Sequence, residues 1–275
     1  MTEKSAIFTA SLFESLTKLN DILQGFNPIG LDGTYNVRYM NRVDTKYLFP
    51  VSKLPLLLRS IRSVYSTLEI DNEREFCYKT VYFDTPDLVF YLQHVTGKLN
   101  RTKVRVRSYE SNGLTFLEVK QKSNKGRTSK TRQEKEKVMD GMDHLEESQE
   151  FLEELISADT ASLKPVLNTG FTRITLVNLQ HAERITVDYN ITWNNLKGEC
   201  LEMPYLAIAE IKSEKSTALS PFFIQLKSQG IRSTGFSKYV TGMALLNGAP
   251  KQNNIKPKFL LLNRIRDEFY SNGTA

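Results

Sequence analysis

Charged side chains recur at every second position on several segments that are otherwise rich in Val, Ile, Leu, Phe and Tyr. Side chains two residues apart share one face of a β-strand, so each segment would present a row of cations with an occasional carboxylate. If these rows face a common interior, they form a basic cavity suited to a polyanion and a divalent metal. The sets are Arg42-x-Asp44-x-Lys46, Lys103-x-Arg105-x-Arg107, Glu118-x-Lys120, Lys130-x-Arg132 and Glu210-x-Lys212.

The same spacing is also typical of an ordinary half-buried strand, in which Val104 would face the core and Arg105 the solvent. Three features favour the interior. Most of these strands carry cations, whereas a solvated face mixes both signs. The pattern Glu-x-Lys occurs on two strands. Ser237-Lys238 stands at a predicted helix start, where free N–H groups attract phosphate.

Strands and helices must alternate to position these residues. Periodicity and capping residues predict helices over 6–26, 52–64, 85–94, 144–157, 220–229, 237–246 and 257–270. Alternating patterns predict strands over 36–49, 78–83, 101–110, 114–122, 169–179, 183–192 and 204–213, and another through Lys130 and Arg132. Hairpin-connected strands with inserted helices indicate a mostly antiparallel sheet and an α+β fold.

Composition narrows the functional classes. The 275 residues carry a formal charge of +6, which favours anionic partners. Cys77 and Cys200 are too few for a disulfide framework, and the three histidines are scattered. No apolar run approaches the ~20 residues of a membrane span, and no signal peptide follows Met1, so we expect a cytoplasmic protein. The aromatic-interleaved basic surface of single-strand nucleic-acid binders is missing, so nucleic acid is not an expected partner.

Six motifs, taken in order, resemble the VTC-type polyphosphate polymerase domain of the triphosphate tunnel metalloenzymes. The resemblance extends over roughly residues 36 to 247. The motifs are Asp44-Thr45-Lys46-Tyr47, Tyr82-Phe83-Asp84-Thr85-Pro86, Asn100-Arg101-x-Lys103-Val104-Arg105-Val106-Arg107, Phe116-Leu117-Glu118-Val119-Lys120-x-Lys122 with Gly126-Arg127-Thr128-x-Lys130-Thr131-Arg132, Glu210-Ile211-Lys212 and Phe236-Ser237-Lys238-Tyr239.

This resemblance implies a closed antiparallel β-barrel of about eight strands that forms a tunnel, with helices packed outside. We expect residues 1–35 to form an N-terminal helix packing on the barrel, and 36–275 a single tunnel-barrel domain with C-terminal helices. The implied activity is ATP-dependent synthesis of inorganic polyphosphate with Mn²⁺ or Mg²⁺. ATP and polyphosphate, or another triphosphate, are the expected partners; the oligomeric state is left open.

Residue roles follow from the resemblance and from the charged rows together. Glu210 is the expected metal ligand, with Glu118 as a second candidate. The expected catalytic residues are Arg105, Arg107, Lys120, Arg173 and Lys238. The expected phosphate-binding residues are Lys46, Lys103, Lys130, Arg132, Arg184, Lys212 and Ser237.

Some positions depart from the family pattern. Gly235 stands where a basic residue is common, and Phe171 where an aromatic hydroxyl is common. Two other functions therefore stay open: a tripolyphosphatase or nucleoside triphosphatase on the same tunnel, and a polyphosphate-binding module without catalysis. Asp188 is equally compatible with lining the cavity and with a salt bridge.

Overall fold

A computed structural model of the protein describes residues 19–34, 43–125, 128–136, 143–213 and 217–272. The strands are β1 Asn27–Ile29, β2 Val43–Pro50, β3 Ser66–Leu68, β4 Phe76–Asp84, β5 Arg101–Tyr109, β6 Thr115–Lys122, β7 Thr128–Lys135, β8 Lys164–Asn178, β9 Glu183–Asn194, β10 Cys200–Met203 and β11 Leu206–Ser213. The helices are α1 at 19–24, α2 Leu54–Ile61, α3 Val89–Val95, α4 Asp143–Glu146, α5 Gln149–Leu155, α6 Pro221–Ser228, α7 Lys238–Leu246 and α8 Lys256–Asn272.

The strands form one large sheet. Its main path runs β2-β11-β9-β8-β4-β5-β6-β7, and neighbouring strands in this path are antiparallel. β10 pairs with β9, β3 pairs with β8, and β1 pairs with β3 in parallel. The predicted α+β class with a mainly antiparallel sheet is confirmed.

The sheet is curved strongly enough to bring distant strands together. β6 and β11 are five strand spacings apart in the path, which would be about 24 Å in a flat sheet. Nevertheless, Glu210 on β11 influences the pKa of Lys120 on β6, and one cavity is lined by both Lys120 and Lys46 on β2. No hydrogen-bonded ladder joins β7 to β2 within the described residues. The eight-strand path therefore curves around a space, but its two end strands do not pair to form a closed barrel there.

Helices cover the outer face of this curved sheet and bury the apolar side chains that alternate with the charged ones on β5, β6 and β11. α1, α2 and α6 share one apolar cluster with β2, β8, β9 and β11. A second cluster joins α3 and α5 to β4, β5 and β6, where Val104 and Val106 are buried. The charged residues of these strands consequently occupy the concave face. α7 packs into one end of that face, where the rings of Tyr239 and Tyr82 stack.

Several element boundaries differ from the sequence predictions. α2 starts at Leu54, and no side-chain cap from Ser52 is formed. The helix predicted over 144–157 is divided into α4 and α5. The short strands β1, β3 and β10 were not predicted. Residues 6–18 of the first predicted helix and 36–42 of the first predicted strand lie outside the described residues.

Asp84, in the predicted Asp-Thr-Pro motif, is a buried structural anchor. Its carboxylate accepts hydrogen bonds from the backbone N–H groups of Thr85 (2.8 Å), Phe90 (2.9 Å) and Tyr91 (2.8 Å). It also accepts one from the hydroxyl of Tyr239 on α7. The predicted helix start at Pro86 is wrong: α3 begins at Val89, whose N–H donates to Thr85 Oγ1 at 3.1 Å, and Asp84 accepts from the next two N–H groups.

Asp84→Ala is expected to lower the free energy of unfolding by about 3 kcal/mol or more, because it leaves several buried donors without an acceptor. Urea denaturation measures this change, and the exposed Asp87→Ala is the matched control. Equal stability of the two variants would show that the Asp84 hydrogen bonds do not anchor α3 and α7.

Candidate functional site

Among the described residues on the concave face, three carboxylates besides Asp44 are each held between two cations. This arrangement places most of the predicted site residues in one interior. The groups are Glu210 with Lys46 and Lys212, Glu118 with Arg105 and Lys130, and Asp188 with Arg173 and Lys238.

Glu210 is positioned by the pairing of β11 with β2. In this register Glu210 lies opposite Lys46, and Lys212 lies opposite Asp44. Lys212 contacts both Glu210 and Asp44, the latter at 3.2 Å. Burial alone would raise the pKa of Glu210, but Lys212 and Lys46 outweigh it and hold the pKa well below its usual range. Glu210 is therefore ionised, and the side chain of Asp44 lies close by on the same lysine.

Glu118 lies deeper, with no exposed surface. Its Oε2 contacts Nε and Nη2 of Arg105, both at 2.7 Å, and its Oε1 contacts Lys130 at the more open edge. Burial would raise its pKa, but Arg105, Arg107 and Lys130 outweigh burial and lower the pKa. Because Glu118 has no exposed surface, and Arg105 occupies its Oε2 while Lys130 occupies its Oε1, Glu118 fits a metal ligand less well than the more accessible Glu210 does.

Asp188 forms salt bridges on the concave face and is not among the residues that line the cavity described below. It lies on the concave face of β9, opposite Arg173 on β8, and accepts a bidentate contact from that residue at 2.6 and 2.8 Å. It also contacts Lys238 at the start of α7. Asp188 thereby fixes the position of α7 relative to the sheet.

A cavity of about 680 Å³ opens beside these groups and carries an excess of positive charge. Among the described residues on its wall are six cations, against the single carboxylate of Asp44. The cations are Lys46, Arg101, Lys103, Lys120, Lys122 and Lys258. Ser237, which caps α7 through the N–H of Val240 and accepts a hydrogen bond from Lys103 Nζ at 3.0 Å, also lines it. Lys46 is already paired with Glu210, but the cations on this wall still outnumber its carboxylates, so a polyanion would supply counter-charge here.

Burial lowers the pKa of three lysines in this interior, and neighbouring cations add to the effect. Burial, followed by the charges of Lys120 and Arg105, holds the pKa of Lys103 well below its usual range. Burial lowers the pKa of Lys120 to about 8, opposed by Glu210. Burial also lowers the pKa of Lys238 to about 8, opposed by Asp188. An anionic ligand would favour the protonated form of all three.

Tripolyphosphate affinity is therefore expected to fall as pH rises through about 8. Above that pH the ammonium groups of Lys120 and Lys238 are increasingly neutral in the free protein, and binding must be accompanied by proton uptake. Above the pKa values, the affinity falls about tenfold per pH unit for each proton that is taken up on binding. Calorimetry between pH 7 and 9.5, in buffers of different ionisation enthalpy, measures both quantities. A constant affinity without proton uptake would contradict the pKa directions.

The structure also distinguishes among the remaining predicted residues. Arg107 is buried near Arg105, and its Nε donates to Thr80 Oγ1 at 3.3 Å. Arg132 lies at the exposed edge of β7, with its guanidinium 4.2 Å from the ring of Phe116. Arg184 lies opposite Lys212 in the register of β9 and β11, at the end of the row that holds Glu210.

Several residues that line the cavity were not predicted as site residues, among them three cations and a histidine. Arg101 and Lys122 continue the every-second spacing of β5 and β6, so extending each predicted row by one step would have found them. Lys258 comes from α8, whose position depends on long-range packing that no local pattern reveals. His94 also lines the cavity; burial, then Lys103 and Arg101, lower its pKa to about 2, so it is neutral.

The family model of the VTC domain matches residues 41–247 of the chain. The match spans well over half of the sequence, and the chain therefore belongs to the VTC domain family, as the six motifs predicted. A search of curated proteins gives no match. None of the helices in the described residues is long and apolar enough to cross a membrane.

Solved structures with a similar arrangement include two candidate nucleotide cyclases. One, from Bacillus halodurans, is 18% identical, with a TM-score of 0.46 over 74% of this chain and 98% of its own. The other, HpAC1 from Hippeastrum, is described as having a dominant triphosphatase activity; it is 13% identical, with a TM-score of 0.46 over 77% of this chain and 99% of its own. The protein PH1819 from Pyrococcus horikoshii is 14% identical, with a TM-score of 0.42 over 73% and 95% of the two chains.

Proposed function

We propose that this protein synthesises inorganic polyphosphate from ATP by phosphoryl transfer inside the basic interior of its curved sheet. The single observation that carries the proposal is the cavity wall, whose six cations face one carboxylate among the described residues. A linear polyanion supplies counter-charge along its whole length, whereas a monophosphate would neutralise only part of such a wall. Membership of the VTC domain family supports the same substrate class.

Arginine and lysine side chains have different roles in this proposal, because their donors have different geometries. Arginine offers a fixed, planar set of donors, so Arg105, Arg107 and Arg173 are placed to spread charge over the transferring phosphoryl group. Lys46 and Lys120, on the cavity wall, orient the terminal phosphates as point charges. Phosphoryl transfer needs little covalent participation by the protein, so positioning and charge stabilisation account for most of the acceleration.

The donor set at β2 and β11 fits a divalent metal. Glu210 and Asp44 both contact Lys212, so two hard oxygen ligands already share one cation. Mg²⁺ and Mn²⁺ are commonly held by one or two carboxylates together with substrate phosphates. The described residues contain no group of three or more His, Cys, Asp or Glu side chains close enough to hold a metal alone. The metal, when bound, supplies additional positive charge to the phosphate oxygens.

Attack by the end of a phosphate chain, instead of by water, is the feature that separates synthesis from hydrolysis. In synthesis, the terminal phosphate oxygen of the chain attacks the γ-phosphorus of ATP, the bond between the γ-phosphorus and the β,γ-bridging oxygen breaks, and ADP leaves. We place the acceptor chain in the cavity, because the cations on its wall outnumber the carboxylates there, whereas Glu118 and Asp188 each lie between two cations that they already pair with.

The test is purified protein incubated with ATP and Mn²⁺, with the products separated by chain length on a gel. Phosphate chains that lengthen with time are the expected result. Release of orthophosphate alone would instead identify a tripolyphosphatase or nucleoside triphosphatase. Tight polyphosphate binding without any ATP turnover would identify a non-catalytic binding module. Either outcome would overturn the proposal.

A further inference from the structure

A stacked pair of aromatic rings lies in the middle of the deep cation group. Tyr78 on β4 and Phe171 on β8 are register partners, and their ring centroids are 5.1 Å apart with an interplanar angle of 5°. Both side chains are buried. The pair faces the concave interior, since Tyr78 shares a strand face with Thr80, to which Arg107 donates.

Three cations converge on this ring pair. The guanidinium carbon of Arg173 is 5.0 Å from the Tyr78 centroid and 5.1 Å from that of Phe171. The guanidinium carbon of Arg107 is 5.5 Å from the Tyr78 centroid and 5.7 Å from the Phe171 centroid. Lys238 Nζ is 4.2 Å from the Phe171 centroid. All of these distances lie within the range of a cation–π interaction.

The charges alone do not explain how these cations stay together. Asp188 contacts Arg173 and Lys238, but Arg107 forms no ion pair with a carboxylate in the part of the chain that the structure describes. Burial, followed by repulsion from Arg105, lowers the pKa of Arg107, so its surroundings disfavour the charged form of this side chain. The negative face of an aromatic ring attracts a cation without carrying a formal charge.

This difference matters for a phosphate site. A carboxylate attracts a guanidinium through its N–H groups, which are the donors that a phosphate also needs. A ring face attracts the delocalised charge and leaves the N–H edges unoccupied. An aromatic pair can therefore help to fix the positions of cations without occupying their donors, which matters most for Arg107, since Arg173 and Lys238 also contact Asp188.

We propose that Phe171 and Tyr78 are positioning residues, which hold Arg107, Arg173 and Lys238 in place for a triphosphate. The role rests on the proposed function, because it presumes a phosphate ligand in this interior. It also changes the interpretation of Phe171, which from sequence was a missing hydroxyl. In the structure the ring itself contacts the cations, so the loss of a hydroxyl leaves this contribution intact.

The experiment compares Phe171→Leu with Phe171→Tyr, using calorimetric binding of inorganic tripolyphosphate without nucleotide or turnover. Phe171→Leu is expected to weaken binding about tenfold, since it removes this ring from three cations, while the Tyr78 ring still contacts Arg107 and Arg173. Phe171→Tyr keeps the ring and is expected to bind within about twofold of the wild type. The affinity of Phe171→Leu should also depend less steeply on salt, because fewer cations contact the ligand.

Phe222→Leu is the control for lost packing, because Phe222 is equally buried but belongs to the outer cluster with α6. It should lose stability and keep both the affinity and the salt dependence of the wild type. Wild-type affinity in Phe171→Leu, or an equal loss in Phe222→Leu, would overturn the positioning role while the proposed function stands. A wild-type protein that does not bind tripolyphosphate would overturn the proposed function itself, and this role with it.

Discussion

Glu210→Gln is expected to lower ATP turnover by about a thousandfold or more, while polyphosphate still binds. The substitution removes the charged oxygen donor that fits the metal, and loss of several kcal/mol of charge stabilisation corresponds to this factor. Binding is retained because Lys46 and Lys212 lose the carboxylate that now balances them, so the interior becomes more positive. Turnover is measured with ATP and Mn²⁺, and binding by calorimetry with polyphosphate.

The control for this variant is Glu202→Gln, an exposed carboxylate on β10, which should behave as the wild type. A fully active Glu210→Gln enzyme would show that the metal is not held at β11. A variant that loses polyphosphate binding together with turnover would show that Glu210 supports the phosphate site in a way that its ion pairs do not explain.

Arg107→Gln is expected to lower kcat/KM by a factor that corresponds to about 2–4 kcal/mol of lost transition-state stabilisation. This is the range for removal of one donor from a site that stabilises developing charge. Its effect on stability should be small, within about 1 kcal/mol, because no buried carboxylate is left without its partner. Steady-state kinetics and urea denaturation of the same preparation test both parts.

Arg105→Gln is the matched comparison, on the same strand and the same face as Arg107. It leaves the buried carboxylate of Glu118 with Lys130 as its one remaining ion-pair partner among the described residues, so the free energy of unfolding should fall by about 3 kcal/mol. Equal stability losses in the two variants would contradict the assignment of Arg105 as the ion-pair partner and Arg107 as the uncompensated cation.

Local patterns predicted the strands and their charged rows well. The caps at Ser220 and Ser237 accept hydrogen bonds from the N–H groups of Phe223 and Val240, as predicted. The spacing could not show which face of a strand is inside, because that depends on helices distant in sequence. In the structure, α3 and α5 cover Val104 and Val106, which leaves the concave face to the charged residues.

Features that depend on the curvature of the sheet lay beyond the sequence. The contact of Asp188 with Lys238 joins β9 to α7, and Lys258 reaches the cavity from α8. The anchoring role of Asp84 depends on Tyr239, which is 155 residues away. Such contacts are fixed by long-range packing and leave no local periodicity.

A crystal structure of the protein with Mn²⁺ and tripolyphosphate tests the central claim most directly. We predict phosphate oxygens in hydrogen-bonding contact with Lys103 and Lys120 inside the cavity, and the metal bound to Glu210. Tripolyphosphate bound only on the outer surface at saturating concentration, with the interior cations still paired to Glu118, Asp188 and Glu210 alone, would contradict the account.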